Sequence, residues 1–183
     1  MKVIFYGGKQ SGLISLLTLI ALGHEVVSVI PVDETVRLVA VNLGLNIGKT
    51  KNINSNNFVN HLEKLDADLF VCCHGKQIIG PRILDKYKAI NLHPCLYKYK
   101  GAKPVDRLLS DKNKKASVAA HWMTEKVDEG KIIVENFKKV KGETVIEIYN
   151  ELYIFYAKTL IDALNKIRIN PKKKVVIKNE PKK

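Results

Sequence analysis

"ADLFVCCHGKQIIGPRILDKYKAINLH", residues 67–93, decides the architecture. "ADLFVCCH" is an unbroken apolar run, as expected of a strand buried on both faces. "PRILDKY" opens on Pro81 and reads as a short helix. "KAINLH" is a second strand, ending at Asn91 and His93. Strand, helix and strand in this order form a crossover unit of a parallel sheet.

The same rhythm runs upstream. "KVIFY" (2–6) is β-rich and "GGKQSG" turns the chain. "LISLLTLIALG" (13–23) is apolar at helical spacing and closed by Gly23. "HEVVSVIP" (24–31) is a second strand. "DETVRLVAVNLG" (33–44) is a second helix, with Asp33 placed to cap it and Gly44 to end it. "LNIGKT" (45–50) reads as a third strand, which makes "ADLFVCCH" the fourth and "KAINLH" the fifth. "SNNFVNHLEKLD" (55–66) is a helix with Ser55 as its expected cap.

Downstream the rhythm changes. "SVAAHWMTEKVDEG" and "KIIVENFKKV" (117–140) read as two strands around an acidic turn. "ETVIEIYNELYIFYAKTLIDALNKI" (143–167) is one long amphipathic helix. The expected fold class is α/β: a Rossmann-like, mostly parallel sheet with helices on both faces, a C-terminal hairpin-like edge and a long closing helix. One domain over residues 1–168 is followed by a Lys-rich tail over 169–183.

Composition narrows the class. At 46% hydrophobic and 27% charged residues, 183 residues suit a single globular domain with a real core. No apolar run is long enough to cross a membrane, and the N-terminus reads as a strand, not a signal peptide. Cys72, Cys73 and Cys95 have no metal-ligand spacing and read as reduced thiols of a cytoplasmic protein. The formal charge of +13 comes almost wholly from Lys, since only Arg37, Arg82, Arg107 and Arg168 among the 31 basic residues are Arg. Phosphate and base recognition favours Arg, so the excess reads as a solvated Lys surface and not as a nucleic-acid footprint.

In open α/β sheets, ligands sit beyond the carboxyl ends of the strands. Three turns share that rim: "GGKQSG" (7–12), "CHGKQIIG" (73–80) and "NLHPCLYKYKG" (91–101). Asn91 and His93 are two apart at a strand end and so face one side. An amide can hydrogen-bond a developing oxyanion, and an imidazole can move a proton near neutral pH. The spacing alone also suits a hydrogen-bonded structural histidine. Asp128, in "EKVDEG", is either a turn former or the carboxylate that orients an imidazole. His121, earlier on the same strand, either faces the cavity or packs away from it. Trp122 fills core. His24, His61 and His74 have no evident partner set, His74 being nearest the rim.

"NLHPCL", "KGAKPV" and "SVAAHWMTEKVDEGKII" together resemble the motif set of the folate-dependent formyltransferases: Asn-x-His-Pro-Ser, a basic-Gly-Ala-x-Pro segment, and Val-Asp-x-Gly after a His-containing strand. "MKVIFYGGKQSGLISLLTLIALGHEVV" is similar to the N-terminus of the methionyl-tRNA and sugar branches. The resemblance covers roughly residues 1–165. It implies transfer of a formyl group from 10-formyltetrahydrofolate to a primary amine, with no metal, and with Asn91, His93 and Asp128 as the catalytic residues. It places Lys76, Gln77, Ile78, Ile79, Glu125, Lys126 and Val127 along the folate. It places the acceptor near Gly8, Lys9, Gln10, Tyr97, Tyr99, Lys100 and Gly101. Tyr97 and Tyr99 could stack on a base or sugar, and Lys98, Lys100 and Lys103 could pair with a pyrophosphate.

Three departures bear on the acceptor. Cys95 replaces the usual Ser and reads as a small packed side chain. The loop "LYKYKG" is one residue shorter than the common form, with Lys100 in place of Arg. The chain also stops after the closing helix, whereas methionyl-tRNA enzymes continue into a β-barrel. The altered loop leaves the acceptor open, and the N-terminal similarity together with the lack of a tRNA domain points to a nucleotide-linked amino sugar. A glycinamide ribonucleotide enzyme, a minimal methionyl-tRNA enzyme and a non-catalytic folate-binding module are the alternatives. A small-molecule partner is expected, with no membrane or nucleic acid, and a homodimer is compatible with the class.

Overall fold

The computed structural model describes residues 1–169, and the Lys-rich tail expected from 169 onward lies, apart from Ile169, outside the described residues. The strands are β1 (Lys2–Gly7), β2 (Glu25–Pro31), β3 (Leu69–Cys73), β4 (Lys88–Pro94), β5 (Lys115–Trp122) and β6 (Ile132–Lys139). They form one sheet in the order β2-β1-β3-β4-β5-β6. The first four run parallel, and the β4/β5 and β5/β6 pairs are antiparallel. The helices are α1 (Lys9–Ala21), α2 (Glu34–Asn42), α3 (Asn56–Glu63), α4 (Pro81–Lys86), α5 (Pro104–Ser110) and α6 (Val145–Ile169).

Apolar burial on both faces of the sheet explains the layers. One core joins Val3, Phe5, Val71, Ile90 and Val118 to Leu16 and Leu19 of α1, Val36 of α2, Leu108 of α5 and Leu152 and Leu160 of α6. The other joins Ile4, Tyr6 and Phe70 to Phe58 and Leu62 of α3 and Ile83 of α4. So β1 and β3, apolar throughout, are covered on both sides, as parallel strands must be.

Several boundaries differ from the sequence expectation. Helix α1 starts at Lys9, four residues before the apolar periodicity begins at Leu13. Its first turn buries Ser11 and Gly12, which carry no apolar signal. "LNIGKT" is not a strand: it makes one parallel bridge, Val29 to Ile47, and Gly48 then packs against Ile30 and Phe58. The expected fourth and fifth strands are therefore β3 and β4. Helix α5 carried no periodic signal because it is a single short helix opened by Pro104. Asp33 caps α2 as expected, its carboxylate accepting from Val36 N–H, whereas Ser55 precedes α3 without a side-chain cap bond.

The antiparallel edge positions the site. Because β5 runs against β4, His121 lies opposite Asn91 and the small Ala119 lies opposite His93. Residues directly opposite in an antiparallel pair share a face. The β5–β6 turn then folds back over the strand ends. Met123 N–H donates to Ala89 O (2.8 Å) and Trp122 N–H to Lys131 O (3.0 Å). Gly130 makes this return passable, since a Cβ there would fall 1.6 Å from Trp122 O. Gly130→Ala is expected to displace the turn carrying Asp128 and to destabilise the fold by about 1–3 kcal/mol. Urea denaturation of the variant against the parent chain measures this.

Candidate active site

A cleft of about 330 Å³ opens beyond the carboxyl ends of β3 and β4. Asn91, His93, His121 and Asp128 all line it, together with Gly101, Tyr149 and the segment His74–Ile79.

Asp128 is the hub. It stands at φ 56, a left-handed conformation that Asp tolerates better than most residues. Its Oδ2 lies 3.1 Å from His93 Nε2 and accepts from Gly101 N–H at 2.8 Å. Its Oδ1 lies 3.5 Å from His121 Nε2. Burial works against its charge. The hydrogen bonds from His121 and His93, the charge of a protonated His93 and the Gly101 N–H outweigh that cost and hold the carboxyl well below the usual carboxylate range.

His93 is 9% exposed. Its Nε2 faces two acceptors, Asp128 Oδ2 and Gly101 O, the latter also at 3.1 Å, so that nitrogen carries a proton. Its Nδ1 is buried and has no hydrogen-bond partner among the described residues. One ring nitrogen is thus pinned and the other is left to exchange a proton.

His121 is the residue that sequence reasoning left undecided. It is 2% exposed. Its Nδ1 donates to Trp122 O at 2.9 Å, which leaves Nε2 between Asn91 Nδ2 (3.2 Å) and Asp128 Oδ1 (3.5 Å). With the proton on Nδ1, the neutral ring keeps a lone pair on Nε2 that accepts from the Asn91 amide; only an imidazolium carries an Nε2 proton, and that proton faces Asp128 Oδ1. His121 thereby orients Asn91 and leaves one amide N–H for the cleft. The signal for this was the β4/β5 register, which no local spacing reveals.

The remaining expected residues divide. Lys76, Gln77, Ile78, Ile79 and Val127 line the cleft, and Glu125 and Lys126 do not. Tyr6 Oη accepts from Lys76 and Gln77 N–H at 3.0 Å each, and Asn54 grips Ile78 O and Gly80 N–H, so the 76–80 turn is rigidly held. Gln77 spends its side chain on Ile53 N–H and Lys51 O. Gly8, Lys9 and Gln10 border the rim without lining the cleft, and Lys9 N–H donates to Asp33 Oδ2 at 2.6 Å. Gly101 lines the cleft, but Tyr97, Tyr99 and Lys100 do not.

The expectation that the two tyrosines could stack on a base or sugar is therefore corrected. Tyr99 is 4% exposed and donates its hydroxyl to Asp111, and Tyr97 sets its ring edge-on against Phe137. The shortened loop closes a tight turn at Cys95, with Tyr99 N–H donating to Cys95 O at 2.9 Å, and both rings pack into the body of the protein. Lys98 and Lys100 are paired with Asp111 and Glu129 at 2.7 Å, so of the three lysines proposed for a pyrophosphate two already hold carboxylates. Cys95 is fully buried, and burial pushes its thiol up to about 11, as it pushes Cys72 and Cys73 up to about 12. None of the three is a ready nucleophile.

His74, at φ 57, forms another part of the wall. Its Nε2 is 3.2 Å from Tyr156 Oη, and its ring lies 5.7 Å from that of Tyr149. Burial, then the nearby cations of Lys9 and His93, push its imidazole down to about 4. Among the described residues, no helix is long and apolar enough to cross a membrane.

The sequence profile of the formyl transferase family matches residues 26–164, most of this chain and all of the Asn91–Asp128 site. The chain belongs to the formyl transferase family. The bifunctional polymyxin resistance protein ArnA of Wigglesworthia glossinidia brevipalpis is 31% identical over 166 residues, 83% of this chain and 25% of that protein. The methionyl-tRNA formyltransferase of Heliobacterium modesticaldum is 27% identical over 180 residues, 90% of this chain and 57% of that protein. The chain thus spans a quarter to somewhat over half the length of these relatives. Among solved structures, the phosphoribosylglycinamide formyltransferase of Bacillus halodurans has a TM-score of 0.78 at 18% identity, covering 94% of this chain and 97% of that one. A sugar N-formyltransferase from Shewanella sp. FDAARGOS_354 has a TM-score of 0.74 at 20% identity, covering 99% and 75%. At these identities the structural likeness speaks for the fold.

A depressed carboxyl stabilises the folded state above the unfolded-chain value of about 3.9, and that contribution is lost as pH falls through the lower folded value. Asp128 should therefore contribute fully at neutral pH and lose its contribution only below about pH 4. A carbon-detected NMR titration should show its carboxylate still ionised at about pH 4, where ordinary Asp side chains are half protonated.

Proposed function

We propose that this protein transfers a formyl group from 10-formyltetrahydrofolate to a primary amine, with a nucleotide-linked amino sugar as the acceptor. The observation that carries the reaction class is the convergence of Asn91, His93 and Asp128 on one cleft, with His93 and Asp128 3.1 Å apart.

The cleft suits a folate donor. Ile78 and Val127 both line it while exposing 66% and 51% of their surface, a pair of apolar walls for a flat heteroaromatic ring. The pinned backbone of the 76–80 turn offers polar groups along the ring edge. Bound there, the donor supplies an electrophilic formyl carbon. The chain's own residues do the rest. The free Asn91 N–H holds the oxygen on which negative charge develops. His93, fixed through Nε2 by Asp128, takes the proton released as the new C–N bond forms and returns it to the departing nitrogen. Asp128 stabilises the imidazolium without itself taking a proton.

The acceptor assignment rests on the β1–α1 turn. A helix N-terminus at such a turn is a general phosphate site. Here the carboxylate of Asp33 occupies it, accepting from Lys9 N–H at 2.6 Å and from Val36 N–H at the start of α2. The turn is sealed around that carboxylate: a Cβ at Gly8 would lie 2.6 Å from Asp33 Oδ2. A built-in anion disfavours a ribonucleotide phosphate at this place, and with it the glycinamide ribonucleotide reading. The sugar N-formyltransferase among the structural neighbours is compatible with the sugar reading.

The test is a mass-spectrometric assay with 10-formyltetrahydrofolate and pooled TDP- and UDP-linked amino sugars, glycinamide ribonucleotide and charged initiator tRNA. One formyl group is expected on an amino sugar and none on the ribonucleotide. Asn91→Ala, His93→Ala and Asp128→Ala are each expected to lower kcat by about 10²-fold or more with the circular dichroism unchanged. Parent-like turnover in all three removes the assignment.

A further inference from the structure

The cleft is lined from both sides of the sheet. Lys76–Ile79, Met123, Thr124 and Val127 line it on the side of the core built with α3 and α4. Gly101, Ala102, Pro104, Tyr149 and His74 line it on the second side, toward α5 and α6. Asn91, His93 and Asp128 stand between them. If the exposed apolar pair Ile78 and Val127 takes the donor ring, the second side is left for the acceptor.

The make-up of that side is distinctive. His74 and Tyr149 set their rings 5.7 Å apart at 57°, and Tyr153 stacks on the outer side of Tyr149 at 6.4 Å. Tyr156, buried beneath, meets His74 Nε2 at 3.2 Å and fixes the imidazole plane. Among the described residues, no carboxylate other than Asp128 lines the cleft. Lys9 and Lys103 are exposed at its margin, and among the described residues neither has a side-chain ion pair.

We propose that His74 and Tyr149 form the acceptor-specificity wall of this protein. The Tyr149 ring takes the C–H face of a hydroxylated sugar ring, and the His74 imidazole hydrogen-bonds one of its hydroxyls. An aromatic ring offers such a C–H face a flat apolar partner. An uncharged imidazole offers one donor and one acceptor without the desolvation cost of an ion. Burial and the Lys9 and His93 cations keep His74 in that neutral form. The inference rests on the formyl-transfer reading above and extends it to two residues outside the catalytic set. Neither touches the reacting atoms in this account. Both act on acceptor binding alone.

The experiment compares His74→Phe, His74→Gln, Tyr149→Ala and Tyr149→Phe with the parent chain, using a TDP-linked amino sugar as acceptor. Donor binding is followed separately with 5-formyltetrahydrofolate by calorimetry. His74→Phe and Tyr149→Ala should raise the acceptor KM by about tenfold, the size of one lost hydrogen bond or ring contact. Their kcat and donor affinity should stay near the parent values. His74→Gln, which keeps a neutral donor and acceptor, and Tyr149→Phe, which keeps the ring, should restore most of the lost affinity. An unchanged acceptor KM in His74→Phe and Tyr149→Ala, with donor affinity intact, overturns the wall. So does a parent chain that binds donor and formylates only an amine lacking a sugar ring. A loss that Gln and Phe do not restore, with a lowered Tm, marks a packing role and overturns it as well. A parent chain that binds no folate overturns the formyl-transfer reading itself.

Discussion

One buried carboxylate organises the functional end of this molecule. Asp128 reaches three different segments: the β4 strand through His93, the β5 strand through His121 and the 96–101 loop through Gly101 N–H. Burying a carboxylate is costly unless every lone pair finds a donor. Here its contacts come from three separate stretches of chain and form only when all three are in register. The left-handed backbone at Asp128 is a modest strain, held in place by these contacts.

The sheet supplies that register. Four parallel strands give a rim of turns, and the reversal at β5 brings a second strand back along β4. Only in the antiparallel pairing does His121 meet Asn91 side by side, and only a small residue such as Ala119 leaves the His93 ring unobstructed. The Asn91 amide is thus oriented from behind by a histidine whose other nitrogen is tied to the Trp122 carbonyl. Rigid positioning of this kind is how a site can stabilise charge without reorganising during reaction.

The same logic separates the two ends of the cleft. One end is pinned by backbone contacts from Tyr6 and Asn54. The other end carries two side chains of distinct chemistry, His74 and Tyr149. The nearby phosphate-type turn is closed by the chain's own Asp33.

Much of this was legible in the sequence. Continuous apolar runs specify strands covered on both faces, and the two-residue spacing of Asn91 and His93 puts them on one side, because backbone geometry alone sets those periods. The joint motif brought Asp128 into the same site. Other features depended on contacts between segments distant in sequence. Tyr97 and Tyr99 had the composition of a ligand-binding loop, but burial against Phe137 and Asp111 takes them out of the cleft. "LNIGKT" had strand composition but found only one bridge at the sheet edge. His121, His74 and Tyr149 carried no local signal, since their neighbours at the site lie 30, 19 or more residues away and meet them only when the sheet and α6 close. The sequence by itself determined most of the elements and their order, which local geometry and apolar pattern set, and its joint motif singled out Asn91, His93 and Asp128. Tertiary structure alone decided which side chains face the cleft and which are spent on packing, because that choice depends on register and burial between distant segments.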